Sequence, residues 1–271
     1  MNMRMPPAVR FIQTLKQELF NIKYQTIMAR DYQKINTLFM RDERSIIIPS
    51  MYTTPEFEYL KDLKWECTEK IDGTNIHADI YLDAEKNDMC IEIHGRTERA
   101  NIPKHLLVKL QSIFTKENVT RAMNLDEKPQ TESIVVSIYG EGYGVKIQKG
   151  GNYLKDDVGF ILFDVRVGTW WLSRKDCEEF AGKLGVPIVP LIGMMTIPEA
   201  IEYVKAGFKS TIAENKDYDA EGLVLKTPYG LQFRNGQRII TKIKTVDFRK
   251  YQTAYGDGEV KQTINPHYNK K

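Results

Sequence analysis

Cysteine is scarce. The chain has three, Cys67, Cys90 and Cys177, odd in number and far apart. They offer no disulfide framework and no thiolate metal spacing, which points to a reducing compartment. Long apolar runs are missing as well. The N-terminal stretch MNMRMPPAVRFIQTLKQELF has no apolar segment leading into small residues, so neither a signal peptide nor a membrane span is expected, and the expected location is cytoplasmic. Charge of one sign is not in excess: 39 Lys and Arg face 36 Asp and Glu, for a formal net charge of +3. That argues against a uniformly basic nucleic-acid binder but leaves room for a local basic groove. Histidine is rare, and its four residues are scattered along the chain, so they suggest no ligand cluster. Internal repeats, linkers and low-complexity tracts are absent too.

What is present is ordinary for a folded protein. At 271 residues, 42% hydrophobic and 28% charged, the chain can bury a full core as one large domain or two small ones. Ile12, Leu15, Leu19 and Ile22 recur at helical spacing, so 7–30 reads as an amphipathic helix. The stretch from there to Phe57, with Pro49 and Pro55, reads as irregular. Alternating runs around KIDGTN and in MCIEIHGRT read as strands, as do ESIVVSIYGEGYG and VGFILFDVRV, which are rich in β-branched and aromatic residues. PKHLLVKLQSIF reads as a helix with Pro103 near its start. SRKDCEEFAGKLG reads as a helix capped by Ser173 and ended by Gly185, and TIPEAIEYVKAG as another. The segment from EGLVLK to KIKTVDF reads as strands joined by turns at PYG and RNG. Helices and strands mix without a βαβ rhythm, so the expected class is α+β with mainly antiparallel sheets flanked by helices.

The stretch ECTEKIDGTNIHADIY, 66–81, reads as a half-buried hairpin whose alternation breaks at KIDGTN. A lysine there is costly unless something uses its amine. Lys70 could be a nucleophile if burial or nearby cations favour its neutral form. Lys242 and Lys244 are two apart and share a strand face while Ile243 points to the core. Paired cations suit a polyphosphate and would push Lys70 toward its neutral form. Glu141 in YGEGYG and Glu221 in DAEGLVLK could each hold a metal ion or a ribose hydroxyl. Singly, each piece has a plainer reading: a surface turn, a solvated strand face, a glycine-rich turn, a core phenylalanine at Phe163.

Their order is informative. EKIDGTN, HGRTE, YGEGYGVKIQKG, FILFDV, EGLVLK, FRNGQR and ITKIKTVDF follow one another between Leu63 and Phe248. This set resembles the covalent nucleotidyltransferase superfamily, and within it most resembles the phage RNA ligase 2 family, which seals nicked or broken RNA using ATP. The resemblance implies a nucleotidyltransferase (adenylyltransferase) domain in which Lys70 carries AMP covalently. It implies that Phe163 and Val224 close on the two faces of adenine, that Arg96 reaches the ribose or the acceptor end, and that Glu141 accepts from a ribose hydroxyl. Asn75 is implied at the phosphate or the reacting 3′ end, with Glu69, Asp72 and Gly73 also lining the nucleotide. Glu221 is implied as the holder of Mg2+ or Mn2+, and Lys242 and Lys244 as partners of the α-phosphate.

The implied division is an N-terminal extension over 1–60, packed on or next to the core, an adenylyltransferase domain over 61–250, and a short tail over 251–271 with no separate C-terminal domain. The implied partner is RNA, with no membrane and a monomeric protein, in the cytoplasm or that of a phage-infected host. A minimal ATP-dependent DNA ligase and an mRNA-capping guanylyltransferase share the Lys70 chemistry and remain open at this point, as does a non-catalytic RNA-end-binding module.

Overall fold

In the computed structural model, residues 32–83, 88–97, 100–125, 134–148, 150–256 and 262–265 are described. The helix expected over 7–30 lies outside them. The first sheet has the order β1 (Asn36–Thr37), β12 (Ile240–Lys244), β11 (Gly222–Lys226), β4 (Trp65–Glu69), β10 (Leu191–Met195). Only β1 runs parallel to its neighbour; the other pairs are antiparallel. Alternation along these strands sorts the side chains. Trp65, Cys67, Leu223, Leu225 and Ile243 enter a buried cluster, while Glu66, Val224, Lys226, Lys242 and Lys244 are only half-buried, as period-two geometry requires.

That cluster is completed from the N-terminal side. Leu38, Phe39, Ile47 and Phe57 join Ile197, Ala200 and Val204 of the helix α5 (Ile197–Ala206) in it. The segment expected to be irregular thus holds β1, a two-stranded ribbon of β2 (Phe39–Arg41) and β3 (Ile47–Tyr52), and the short helix α1 (Pro55–Tyr59). The strands are too short for a clear alternating pattern. Pro49 is tolerated inside β3 because, among the described residues, that strand has a partner on one side only.

The second sheet has the order β6 (Asp88–Gly95), β5 (Thr74–Asp83), β7 (Ile134–Gly144), β8 (Val158–Val167), β9 (Trp170–Trp171). This corrects the expected hairpin at KIDGTN: β4 and β5 belong to different sheets, and 70–73 connects them. Local alternation shows that both are strands but does not say which partner each takes. The remaining α-helices among the described residues are α2 (Lys104–Ile113), α3 (Lys116–Ala122), α4 (Arg174–Leu184) and α6 (Thr245–Tyr255). Ser173 caps α4 by accepting from the Asp176 amide, and Gly185 ends it at φ 81°. Thr196 and Glu199 form a reciprocal capping box on α5. α6 begins directly after β12, so TVDF, expected as strand, is helical, and the expected tail over 251–271 starts inside this helix. Among the described residues the fold is α+β, with mainly antiparallel sheets and six α-helices, and no helix is long and apolar enough to cross a membrane.

Two units emerge from the packing. One takes Tyr32 and the described parts of 75–140 and 164–186; the other takes 33–74 and the described parts of 141–163 and 187–265. Of the candidate residues, Asn75 and Arg96 fall in the first unit and all the others in the second.

Candidate active site

Lys70 follows the last residue of β4 and is held by its backbone, whose amide donates to the Gly222 carbonyl at 2.9 Å. Its ammonium donates to Glu221 Oε2 at 2.5 Å and, more weakly, to the Ile71 carbonyl at 3.4 Å. Glu221 Oε1 meets Lys244 Nζ at 2.6 Å. One carboxylate therefore bridges two ammoniums, with side-chain exposures of 20% for Lys70, 14% for Glu221 and 30% for Lys244. Desolvation offsets much of the attraction in such an enclosed cluster, so it contributes little net stability.

Strand register creates this meeting. Gly222 lies opposite Lys244, and Val224 opposite both Lys242 and Thr68. Thr68, Lys70, Val224, Lys226, Lys242 and Lys244 thus share the sheet face turned away from the aliphatic cluster. Gly222 has a φ of +151°, and a Cβ there would come within 2.0 Å of the Ile243 carbonyl oxygen. Only glycine lets β11 begin this close to β12. The Glu221 carbonyl accepts from the Thr245 amide at 3.0 Å, which fixes the residue at the start of α6.

Glu141, in β7, keeps part of its surface open to water, yet protein crowds its carboxyl. Burial pushes its pKa up to about 7, opposed by the Lys70 charge and aided by Glu221 and Asp72; the Gly73 amide donates to it. Gly73 is required here by close approach, since a Cβ would lie 2.3 Å from the Gly142 carbonyl oxygen and 2.8 Å from Glu141 Cγ. The Asp72 amide donates to Tyr153 Oη at 3.1 Å. Tyr153 is fully buried with Ile71, Tyr143, Ile161, Val189 and Ala213, and Phe163 packs on that cluster. Lys226 Nζ donates to the Phe163 carbonyl at 2.9 Å.

The other candidates are placed as follows. Glu69 is 1% exposed, and its carboxylate accepts from Ser210 Oγ at 2.5 Å, the Thr211 amide at 2.9 Å and Thr211 Oγ1 at 2.6 Å. It anchors that loop by its side chain. Lys242 is half-buried on β12. Asn75 is half-buried, its Oδ1 enclosed without a hydrogen-bond partner. Arg96 is exposed just beyond β6, and its neighbour Arg99 lies outside the described residues. Sequence reasoning passed over Tyr153, Ser210, Thr211 and Lys226. Of these only Lys226 had a signal, because it sits two residues after Val224 in EGLVLK and so shares its face.

Among the solved structures to which the chain is similar are several forms of the Naegleria gruberi RNA ligase. A variant with ATP and Mn has a TM-score of 0.52 at 17% identity, covering 86% of this chain and 60% of that one. Another variant with ATP and Mn gives 0.51 at 18%, covering 81% and 63%. A variant with AMP and Mn gives 0.51 at 19%, covering 83% and 59%. These likenesses establish a shared fold, and the chain spans about three fifths of the length of those relatives. A family model described as RNA ligase matches residues 63–244. That span holds Lys70, Glu141, Glu221 and every other candidate residue, and the chain belongs to the RNA ligase family.

Proposed function

We propose that this protein is an ATP-dependent polynucleotide ligase of the RNA ligase 2 kind, joining a 3′-hydroxyl to a 5′-phosphate in nicked or broken RNA. The observation that carries the reading is the single Glu221 carboxylate shared by Lys70 and Lys244, on a face that also carries Lys242. A lysine nucleophile must leave its ion pair as a neutral amine before it can attack. Lys244 on the other oxygen leaves Glu221 with a counter-charge when Lys70 turns to its substrate.

The reaction runs in three displacements. The Lys70 nitrogen forms a bond to the α-phosphorus of ATP, loses a proton, and the bond to the β-phosphate oxygen breaks, releasing pyrophosphate. A 5′-phosphate oxygen of RNA then displaces Lys70 from the adenylyl phosphorus. Finally a 3′-hydroxyl oxygen attacks the 5′-phosphorus, loses its proton and releases AMP. Lys242 and Lys244 offset charge that grows on the phosphate oxygens. Phe163 and Val224 flank the base, and Glu141 accepts from a ribose hydroxyl. Asp72 and Gly73 shape the nucleotide side of the turn, and Glu69 supports it through the 210–211 loop. Asn75 and Arg96 serve the phosphate and the acceptor end.

The Naegleria relative has been solved with ATP and Mn and with AMP and Mn, which supports ATP and a divalent metal here. Carboxylate oxygens suit a hard cation such as Mg2+ or Mn2+, and Glu221 offers two, which meet Lys70 and Lys244. Glu221 would hold that ion, whose chemistry is neutralisation of the phosphates. The protein would act as a monomer in the cytoplasm, of its own cell or of an infected host.

A strand-joining panel tests this reading. Nicked duplexes that differ only in ribose or deoxyribose at the nick are incubated with ATP or GTP. Sealing with ATP at a ribose 3′ end is the expected result. Sealing confined to all-DNA nicks, or a covalent adduct formed with GTP alone, overturns it.

A further inference from the structure

The four histidines look scattered in the sequence, yet the fold brings two of them together. On β5 the run His77-Ala78-Asp79 faces Glu92-Ile93-His94 on the antiparallel β6, with His77 opposite His94 and Asp79 opposite Glu92. All four side chains share one face of the strand pair. The two imidazoles stack at 5.0 Å between ring centroids. One ligand atom from each of His77, Asp79 and His94 can be chosen so that all lie within 4.8 Å of one another.

Two features of this cluster are hard to explain as packing alone. His77 is only 6% exposed, and its Nδ1 is buried without a hydrogen-bond partner. A buried polar atom left in that state is unfavourable, because it has lost its water without gaining a partner. Asp79 is 5% exposed. Its Oδ1 accepts from Ser137 Oγ, but Oδ2 has His77 Nε2 only at 3.4 Å, beyond a good hydrogen bond. A buried carboxylate and a buried imidazole that complete each other this poorly suit a cation between them.

We propose that His77, Asp79 and His94 bind a divalent transition metal of the zinc class, at a site made of residues other than Glu221. Two imidazoles and a carboxylate are the donor set that such ions prefer over Mg2+. Ligands held at about 2.0–2.1 Å from one ion are at most about 4.2 Å apart, so small side-chain rotations close the site. Ser137 on Asp79 and the Tyr139 ring 5.9 Å from His77 supply the surrounding groups that orient such ligands. Entry is from the side of His94, whose side chain is 26% exposed, and of Glu92, 49% exposed and 3.4 Å from His94 Nε2.

The test is calorimetric titration of chelator-treated full-length protein with Zn2+, paired with the visible spectrum of the Co2+ form. The expected result is one bound equivalent, unchanged in Glu221→Ala and weakened about tenfold or more in His94→Ala and in His77→Ala. Wild type is expected to melt at a higher temperature with Zn2+ than without, and His94→Ala is not. If His77→Ala does not fold, His94→Ala, altered at a partly exposed ring, carries the test. No binding by the wild type, or equal binding by His94→Ala, overturns the proposal, as does loss of the Zn2+ equivalent in Glu221→Ala.

Discussion

Lys70 Nζ and Glu221 Oε2 are 2.5 Å apart, although 151 positions separate them in the chain. The β4–β11 pairing closes that separation. Removing the carboxylate leaves Lys70 and Lys244 facing each other without a counter-charge and removes the proposed metal ligand. Glu221→Ala is therefore expected to slow self-adenylation by about 10²–10³-fold, the scale of several kcal/mol in the transition state. Glu141→Asp, a shortened acceptor that can partly adapt, is expected to lose much less. Rates of labelled adduct formation at saturating Mn2+ check the order. Equal or reversed losses count against Glu221 as metal holder and Glu141 as ribose acceptor.

Gly73 is tied to Glu141 by contact. A methyl group at position 73 meets backbone at 2.3 Å, and the Gly142 carbonyl cannot move aside without disturbing β7. Gly73→Ala is expected to destabilise the protein by about 1–3 kcal/mol and to slow adenylation beyond what the lost stability explains. Urea melts together with adduct formation at low temperature give both quantities. A variant with wild-type stability and rate would show that the turn relaxes freely.

Glu141 also sets a pH dependence. Burial raises its folded pKa from 4.5 to about 7, so between these values the native state holds a proton that the unfolded state has released. The associated stability is fully present below about pH 4.5 and is lost as pH rises through about 7, by up to about 3 kcal/mol. Glu141→Gln, neutral at every pH, is expected to remove this loss, so that its stability relative to wild type increases from pH 5 to pH 8. Chemical denaturation across that range measures the difference, and parallel pH profiles for the two proteins would contradict the assignment.

Leu38 and Phe57, both essentially inaccessible, belong to the same cluster as Trp65 and Leu223. Leu38→Ala is expected to cost about 2–5 kcal/mol and Phe57→Ala about 3–5 kcal/mol, as for any core position. Thermal or urea melts of the two variants measure this. Losses below 1 kcal/mol would mean that residues 36–57 lie on the core without belonging to it.

What the sequence reveals depends on how local the signal is. KIDGTN, EGLVLK and TKIKT each fit within six residues, so the lysines and Glu221 could be picked out by residue type and order alone. Their convergence rests on the β4–β11–β12 register, which no local pattern encodes. The same gap accounts for the misread hairpin, since β4 and β5 alternate as paired strands do but pair elsewhere. It accounts for His77 and His94, seventeen positions apart in the chain and opposite each other across β5 and β6. Glu69 illustrates a different limit. Its neighbours on the motif suggest a ligand contact, whereas its carboxylate is committed to Ser210 and Thr211, which carry no recognisable signal. Strands as short as β1 and β2 fall below the length at which alternation can be recognised.

Lys70 is the residue expected to become covalently adenylylated. Incubation with ATP labelled in the α-phosphate and with Mn2+, followed by a denaturing gel and mass spectrometry of the labelled peptide, tests it most directly. The expected result is one AMP on the peptide that contains Lys70, no label on Lys70→Ala, and normal labelling of Lys104→Ala, altered at the start of α2. Undiminished labelling of Lys70→Ala, or AMP found on a different residue of the wild type, would contradict it.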